Sequence, residues 1–144
     1  MMLIDANLLL YAYDSASEHH GPAREWLTAA FSNPEPVGLA WVTILAFLRI
    51  ATNPRMRAQP FTSSEAMAVV QEWLERPNMA ILAPTERHWP ILRELIPKAQ
   101  VRGALMMDAH LAALAIEHGA VLHSNDRDFS RFPGLKWVNP LEAS

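Results

Sequence analysis

The sequence predicts an α/β protein: a three-layer α/β/α sandwich around a central five-stranded parallel sheet. Two observations carry this. Short apolar runs, too brief for helices, recur along the chain and are bounded by Pro, Gly, Ser, Asn or Asp. Between them lie longer stretches whose apolar residues repeat with a helical period. Strands that alternate with helices form a parallel sheet with helices on both faces.

The elements follow in order. Met1-Met2-Leu3-Ile4 ends at Asp5 as a buried parallel strand ends where its loop begins. Helices are expected over residues 6–13 and 22–31, a strand over 37–40, and a helix over 41–52. Residues 62–76 carry the clearest helix. Thr62 and Glu65 have capping-box spacing, Ala66, Val69, Val70, Trp73 and Leu74 form an apolar stripe, and Pro77 stops the helix. A strand at 79–82 and a helix at 86–98 follow. Residues 103–118 form the last long helix, with Leu111, Leu114 and Ala115 on one face and Gly119 at the C-terminal cap position. Strands at 120–123 and 135–138 complete the sheet. The chain shows no internal repeat, linker or low-complexity stretch.

Composition bounds what such a fold does. At 144 residues and 51% hydrophobic content the chain suits one core, so a single domain over 1–144 is expected. A net charge of −3, from 12 Lys+Arg against 15 Asp+Glu, excludes a surface that is electropositive throughout, so any nucleic-acid contact is local. Without cysteine there is no disulfide and no thiolate ligand, and metal chemistry falls to oxygen or imidazole donors. Asp5 interrupts the apolar start, which also lacks a basic leader, and no apolar run reaches membrane-span length. A cytoplasmic protein with no membrane contact is the expectation.

The aspartates are the informative residues. There are five, and Asp14 is assigned to a loop. Asp5 follows the first strand, and Asp126 and Asp128 follow the strand at 120–123, so both loops open at the carboxyl edge of the sheet, where open parallel sheets bind ligands. Asp108 shares a helix face with Leu111 and Ala115, which turns its carboxylate inward with no Lys or Arg within a helical turn. Gathered carboxylates are all ionised at pH 7 and repel unless a cation sits between them. Hard oxygen donors suit Mg²⁺ or Mn²⁺, and the matching chemistry is metal-assisted phosphodiester hydrolysis. Singly, each aspartate also reads as a cap or an Asx turn.

Three segments, Leu3-Ile4-Asp5-Ala6-Asn7-Leu8-Leu9-Leu10-Tyr11-Ala12, Met107-Asp108-Ala109-His110-Leu111-Ala112-Ala113-Leu114-Ala115 and Ser124-Asn125-Asp126-Arg127-Asp128-Phe129, resemble those of PIN-domain proteins. Their order, their spacing and the size of the chain are most similar to the ribonuclease toxins of VapBC-type toxin–antitoxin modules. The resemblance implies an α/β/α sandwich whose acids hold Mg²⁺ or Mn²⁺ and which cleaves RNA. It assigns metal binding to Asp5, Asp108 and Asp126, a further catalytic acid to Asp128, and supporting roles to Asn7 and Ser124. It also implies a cognate antitoxin that places an Arg or Lys among the acids, and a homodimer. The sequence departs from the family at one place: Trp41-Val42-Thr43-Ile44-Leu45-Ala46-Phe47-Leu48-Arg49 contains no acid, and Ala46 stands about where the family carries Glu.

Ten of the twelve basic residues are Arg, whose planar fork suits phosphate. Arg127, between two candidate acids, and Arg49 are the leading RNA contacts, with Arg55, Arg57, Arg102 and Arg131 as further flanking cations. His19, His20 and His110 are read as loop or rim residues, the tryptophans as core or interface, and the methionines as core filler. The helix at 62–76, with Met67 and Trp73, is the expected dimer surface. Two other readings compete. A haloacid dehalogenase-type phosphatase needs a second Asp where Asn7 stands, and a binding module that has lost catalysis fits the missing Glu.

Overall fold

The computed structural model describes residues 1–142. Its elements are β1 (Met2–Ile4), α1 (Ala6–Ala12), α2 (His20–Ser32), β2 (Val37–Leu39), α3 (Trp41–Ala51), α4 (Ser63–Leu74), β3 (Met79–Ile81), α5 (His88–Lys98), α6 (Leu105–His118), β4 (Val121–His123), a 3-10 helix (Arg127–Arg131) and β5 (Trp137–Val138). All strands are parallel, in the order β3-β2-β1-β4-β5. Each strand and helix expected from the sequence is present. The 3-10 helix was not expected, and α2 begins at His20, so that Pro22 stands in its first turn, where a missing N–H is tolerated.

Strand alternation divides the core into two layers. Met2 and Ile4 face a cluster with Leu8, Leu9, Leu27, Ile44, Phe47 and Trp73, which belongs to α1–α4. Leu3 faces the opposite cluster with Leu95, Leu111, Leu114, Phe129 and Phe132, under α5, α6 and the 3-10 helix. Full burial of side chains of this size contributes about 1.5–3 kcal/mol each. Trp73 corrects one expectation. It is 1% exposed, stacks edge-on against Phe47 and donates its indole N–H to the Tyr13 hydroxyl at 3.1 Å, so it is core and not dimer surface. Met67 on the same helix is exposed.

Local signals hold the helix ends. The Thr62 hydroxyl accepts from the Glu65 N–H, and the Glu65 carboxylate accepts from the Thr62 N–H, a complete capping box. Gly119 ends α6 with φ 64°, and Ala120 N–H returns to the Ala115 carbonyl.

Gly38 is required by packing. A Cβ there would lie 2.8 Å from Leu82 Cδ1 and 3.1 Å from the Met2 carbonyl oxygen. Gly38→Ala therefore overpacks the sheet and should lower stability by about 1–3 kcal/mol in urea unfolding. Combined with Leu82→Ala it should cost less than the sum of the two single changes, and additive effects would contradict the contact.

Candidate functional site

The strand order reverses between β1 and β4, and at such a switch point two adjacent strands diverge to leave a crevice at their carboxyl ends. Ile4 pairs with His123, and the Asp5 N–H donates to the His123 carbonyl at 3.0 Å, so Asp5 and Ser124 leave the sheet side by side.

Ser124 is fully buried and joins three of the singled-out residues. Its hydroxyl donates to Asp5 Oδ2 at 2.8 Å and accepts from Asn7 Nδ2 at 3.2 Å and from the Asp126 N–H at 3.0 Å. One donor and two acceptor positions are thereby filled, the whole capacity of a hydroxyl. Asp5 Oδ1 caps α1 by accepting from the Ala6 N–H at 2.8 Å, and Asp126 Oδ1 accepts from the Asp128 N–H at 2.9 Å. The capping and Asx-turn readings of these aspartates thus hold together with their convergence.

Asp108, Asp126 and Asp128 each offer a carboxylate oxygen within 4.8 Å of the other two. Asp5 lies beside this group, and its carboxyl is raised by burial, opposed by the bonds from Ser124 and Ala6, with the Asp126 charge adding to the rise. The Asp108 carboxyl is pushed up to about 6, first by burial and then by the charges of Asp126, Asp5 and Asp128, while Arg131 pulls it down. The sequence grouped Asp5, Asp108 and Asp126 as ligands; the geometry brings Asp128 into mutual reach of Asp108 and Asp126 and sets Asp5 at the flank. The donor set, carboxylates without thiolates, fits a hard divalent cation such as Mg²⁺ or Mn²⁺.

The two arginines favoured by the sequence lie elsewhere. Arg127 turns outward and pairs with Glu142 at 2.7 Å, its side chain 82% exposed. Arg49 lines a groove between α3 and α4 with Leu48, Thr52, Ser63 and Met67. Arg57 is buried against the Tyr13 carbonyl and the Phe61 ring. Ala46 is half-buried in α3, and no acid stands in that helix.

Two features escaped the sequence reading. Asn125 donates to the Tyr11 hydroxyl and accepts from Asn139, which ties the crevice wall to α1 and to the chain after β5. Its place inside the Ser124–Asp128 segment was the available signal. The second is a chain from Glu117 to His88 to His110 that joins α6 to α5. Glu117 also accepts from the Thr85 N–H at 2.6 Å. Burial raises the Glu117 carboxyl, but the bonds from Thr85 and His88 outweigh it and hold it below its ordinary value. His110 is lowered by burial and by His88. It is the half-buried rim residue expected, with a partner on α5.

A parallel α/β/α sandwich with carboxylates collected at its switch point defines a class of acidic-site domains, and comparison with known proteins narrows the class. A profile of the PIN domain matches residues 2–135. The chain is 44% identical over 140 residues to Ribonuclease VapC37 of Mycobacterium tuberculosis, covering 97% of each chain, and 40% identical over 141 residues to Ribonuclease VapC33 of that organism, covering 98% of this chain and 99% of the other. VapBC2 from Rickettsia felis, solved bound to a DNA fragment from its promoter, superposes with a TM-score of 0.69 at 16% identity over 96% of this chain and 97% of the other, which speaks for the fold. The chain belongs to the PIN domain family.

The repulsion in the cluster has a measurable sign. A carboxyl whose folded pKa lies above its unfolded value favours the folded state at low pH, and that contribution is lost as pH rises through the folded value. For Asp108 the window runs from the ordinary value near 3.8 up to about 6. Without divalent metal, Asp108→Asn should unfold at higher urea than the parent at pH 7.5, and the advantage should shrink as pH falls toward 4. A constant difference across that range would contradict the shift.

Proposed function

We propose that this chain is a Mg²⁺- or Mn²⁺-dependent endoribonuclease and the toxin of a type II toxin–antitoxin pair, folded as one domain over residues 1–144. The observation that carries the reading is the convergence of Asp5, Asp108, Asp126 and Asp128 at the switch point of a chain 44% identical to a protein named as a ribonuclease. Asp108, Asp126 and Asp128 would hold the cation, with Asp5 beside them as the fourth acid. When bound, the cation supplies Lewis acidity, lowering the pKa of a bound water and stabilising the leaving oxygen of the phosphodiester.

The chain's own residues supply preorganisation. Ser124 and Asn7 fix the Asp5 carboxylate and the Asp126 backbone in one hydrogen-bonded unit, so the acids need no reordering when substrate arrives. The Asx bond from Asp126 to the Asp128 N–H fixes the turn between those two acids. A phosphate entering this crevice meets the like charge of the carboxylates, which a divalent cation and flanking arginines would offset.

Two partners follow from the reading. Solved neighbours of the fold include a toxin–antitoxin complex from Klebsiella pneumoniae and a DNA-bound VapBC from Salmonella typhimurium, with TM-scores of 0.64 and 0.67. A cognate antitoxin would place an Arg or Lys against the acids, where it competes with the cation for the same oxygens. A second copy of the chain would cover the exposed Trp41, Leu45 and Met67 of α3 and α4.

The missing acid in α3 favours a second reading, a PIN domain that binds RNA without cutting it. One experiment separates the two. With Mg²⁺ or Mn²⁺ the chain should cleave a single-stranded RNA, EDTA should abolish cleavage, and Asp126→Asn should slow it at least about 100-fold, on the scale of removing one preorganised electrostatic group. RNA binding by the parent with no cleavage under any divalent cation would establish the second reading, and full activity of Asp126→Asn would remove the acids from the mechanism.

A further inference from the structure

A concavity of about 800 Å³ lies outside the crevice, between the end of α5, the loop that leads to α6 and the 3-10 helix. Lys98, Gln100, Arg102 and Arg131 line it, over an apolar floor that includes Ile96 and Val101, and no carboxylate does. Three of the chain's twelve basic residues therefore meet in one hollow of a protein whose net charge is −3. Among the described residues, Arg102 and Arg131 have no acidic partner within 4 Å, and Lys98 has only the exposed Glu94 at 3.8 Å.

The hollow is coupled to the acids through one short element. The 3-10 helix has Asp126 as its N-cap and Arg131 as its last residue. Residues three apart eclipse in such a helix, so Asp128 and Arg131 share a face about 6 Å apart along the axis at about 2 Å per residue, the span of one to two stacked nucleotide steps of about 3.4 Å.

The carbonyls at the end of α5 would oppose an anion, but they are occupied. Val101 N–H bonds the Ile96 carbonyl, Gln100 N–H bonds the Pro97 carbonyl, and Arg131 Nη1 donates to the Ala99 carbonyl at 3.3 Å. That last bond holds the Arg131 guanidinium against the wall. Its other nitrogens are left for a ligand. Gln100 takes the left-handed position of this turn, φ 54°, where glycine is usual, and its side chain is thereby carried to the lining of the hollow.

We infer that the Lys98–Arg102–Arg131 hollow is a backbone subsite for RNA, in which the two arginine forks take a phosphate flanking the scissile one and set the strand's path into the acidic crevice. The inference rests on the ribonuclease reading and names where that site holds its substrate. It replaces Arg127, engaged by Glu142, and Arg49, in the α3–α4 groove, as the RNA contacts. Arg102 and Arg131 act here on binding and not on the chemical step.

The test measures binding and turnover separately. A fluorescein-labelled single-stranded RNA is titrated in EDTA from 50 to 300 mM salt, and the same RNA is cleaved with Mn²⁺, using the parent chain, Arg102→Ala, Arg131→Ala, the double variant, Arg131→Lys and the surface control Arg93→Ala. Each alanine should reduce the slope of log affinity against log salt by about 0.7, and the double variant by about 1.4, as expected for loss of one phosphate contact each on a single strand. KM should rise about tenfold per alanine with kcat within about threefold, the pattern of lost uniform binding. Arg131→Lys should keep the slope, because it keeps the charge, and Arg93→Ala should match the parent. A parent that cleaves while slopes and KM stay unchanged in the alanine variants overturns the subsite alone. A parent that neither binds nor cleaves the RNA overturns the ribonuclease reading and the subsite with it. Loss of binding to an acidic polypeptide such as polyglutamate, with RNA slopes intact, makes the hollow a protein-docking site and also overturns the inference.

Discussion

Like-charge repulsion at the switch point is the constraint around which the structure is arranged. Carboxylate oxygens within 4.8 Å of one another bring like charges that oppose each other by about 3–4 kcal/mol at an effective dielectric constant of about 20, whereas one hydrogen bond contributes about 1 kcal/mol net. No single bond in the crevice holds the acids together against that force. The β1–β4 ladder, the buried Ser124 hydroxyl and the packing of α6 do so jointly. The ladder and the packing of α6 act on the backbone that carries the acids, whereas Ser124 acts on the Asp5 carboxylate itself and on the Asp126 N–H.

The placement of α6 shows how the fold supplies this restraint. Ala109, Ala112, Ala113 and Ala115 are all buried, and side chains this small let the helix lie close on β4 and α5. One residue from its end, Glu117 is locked by Thr85, His88 and Arg87, and His88 continues to His110 two residues beyond Asp108. The helix that carries the most perturbed acid is therefore clamped near both ends. A buried carboxylate with this many donors is costly to disturb, since removing a partner leaves a charge without solvation.

Much of this was legible in the chain, and the limits have physical causes. Asp5 and Asp126 could be placed because a buried strand of three residues is nearly all apolar and its polar successor marks the loop. Thr62 with Glu65, and Gly119, mark helix ends because capping is local chemistry. Asp108 was read inward from its spacing to Leu111 and Ala115. What the sequence did not disclose depends on pairing across long separations. Ser124 meets Asp5 across 119 positions, and Glu117 meets His88 across 29. Arg127 sits between two acids in sequence, yet in a 3-10 helix neighbours point in different directions, so adjacency put it outside the crevice while Arg131, three residues beyond Asp128, returned to that face. Trp73 was ambiguous because an apolar stripe on a helix does not say whether a neighbouring helix or a second molecule covers it.

The proposed function requires that Asp108 be held among like charges that a divalent cation would neutralise. Carbon-detected NMR titration of the aspartate carboxyl groups, with and without Mg²⁺, measures it directly. In the metal-free protein Asp108 should titrate at about 6, and its pKa should fall by more than about one unit when saturating Mg²⁺ neutralises the cluster. An Asp108 carboxyl that titrates at the ordinary aspartate value in both conditions, unmoved by the cation, would contradict it.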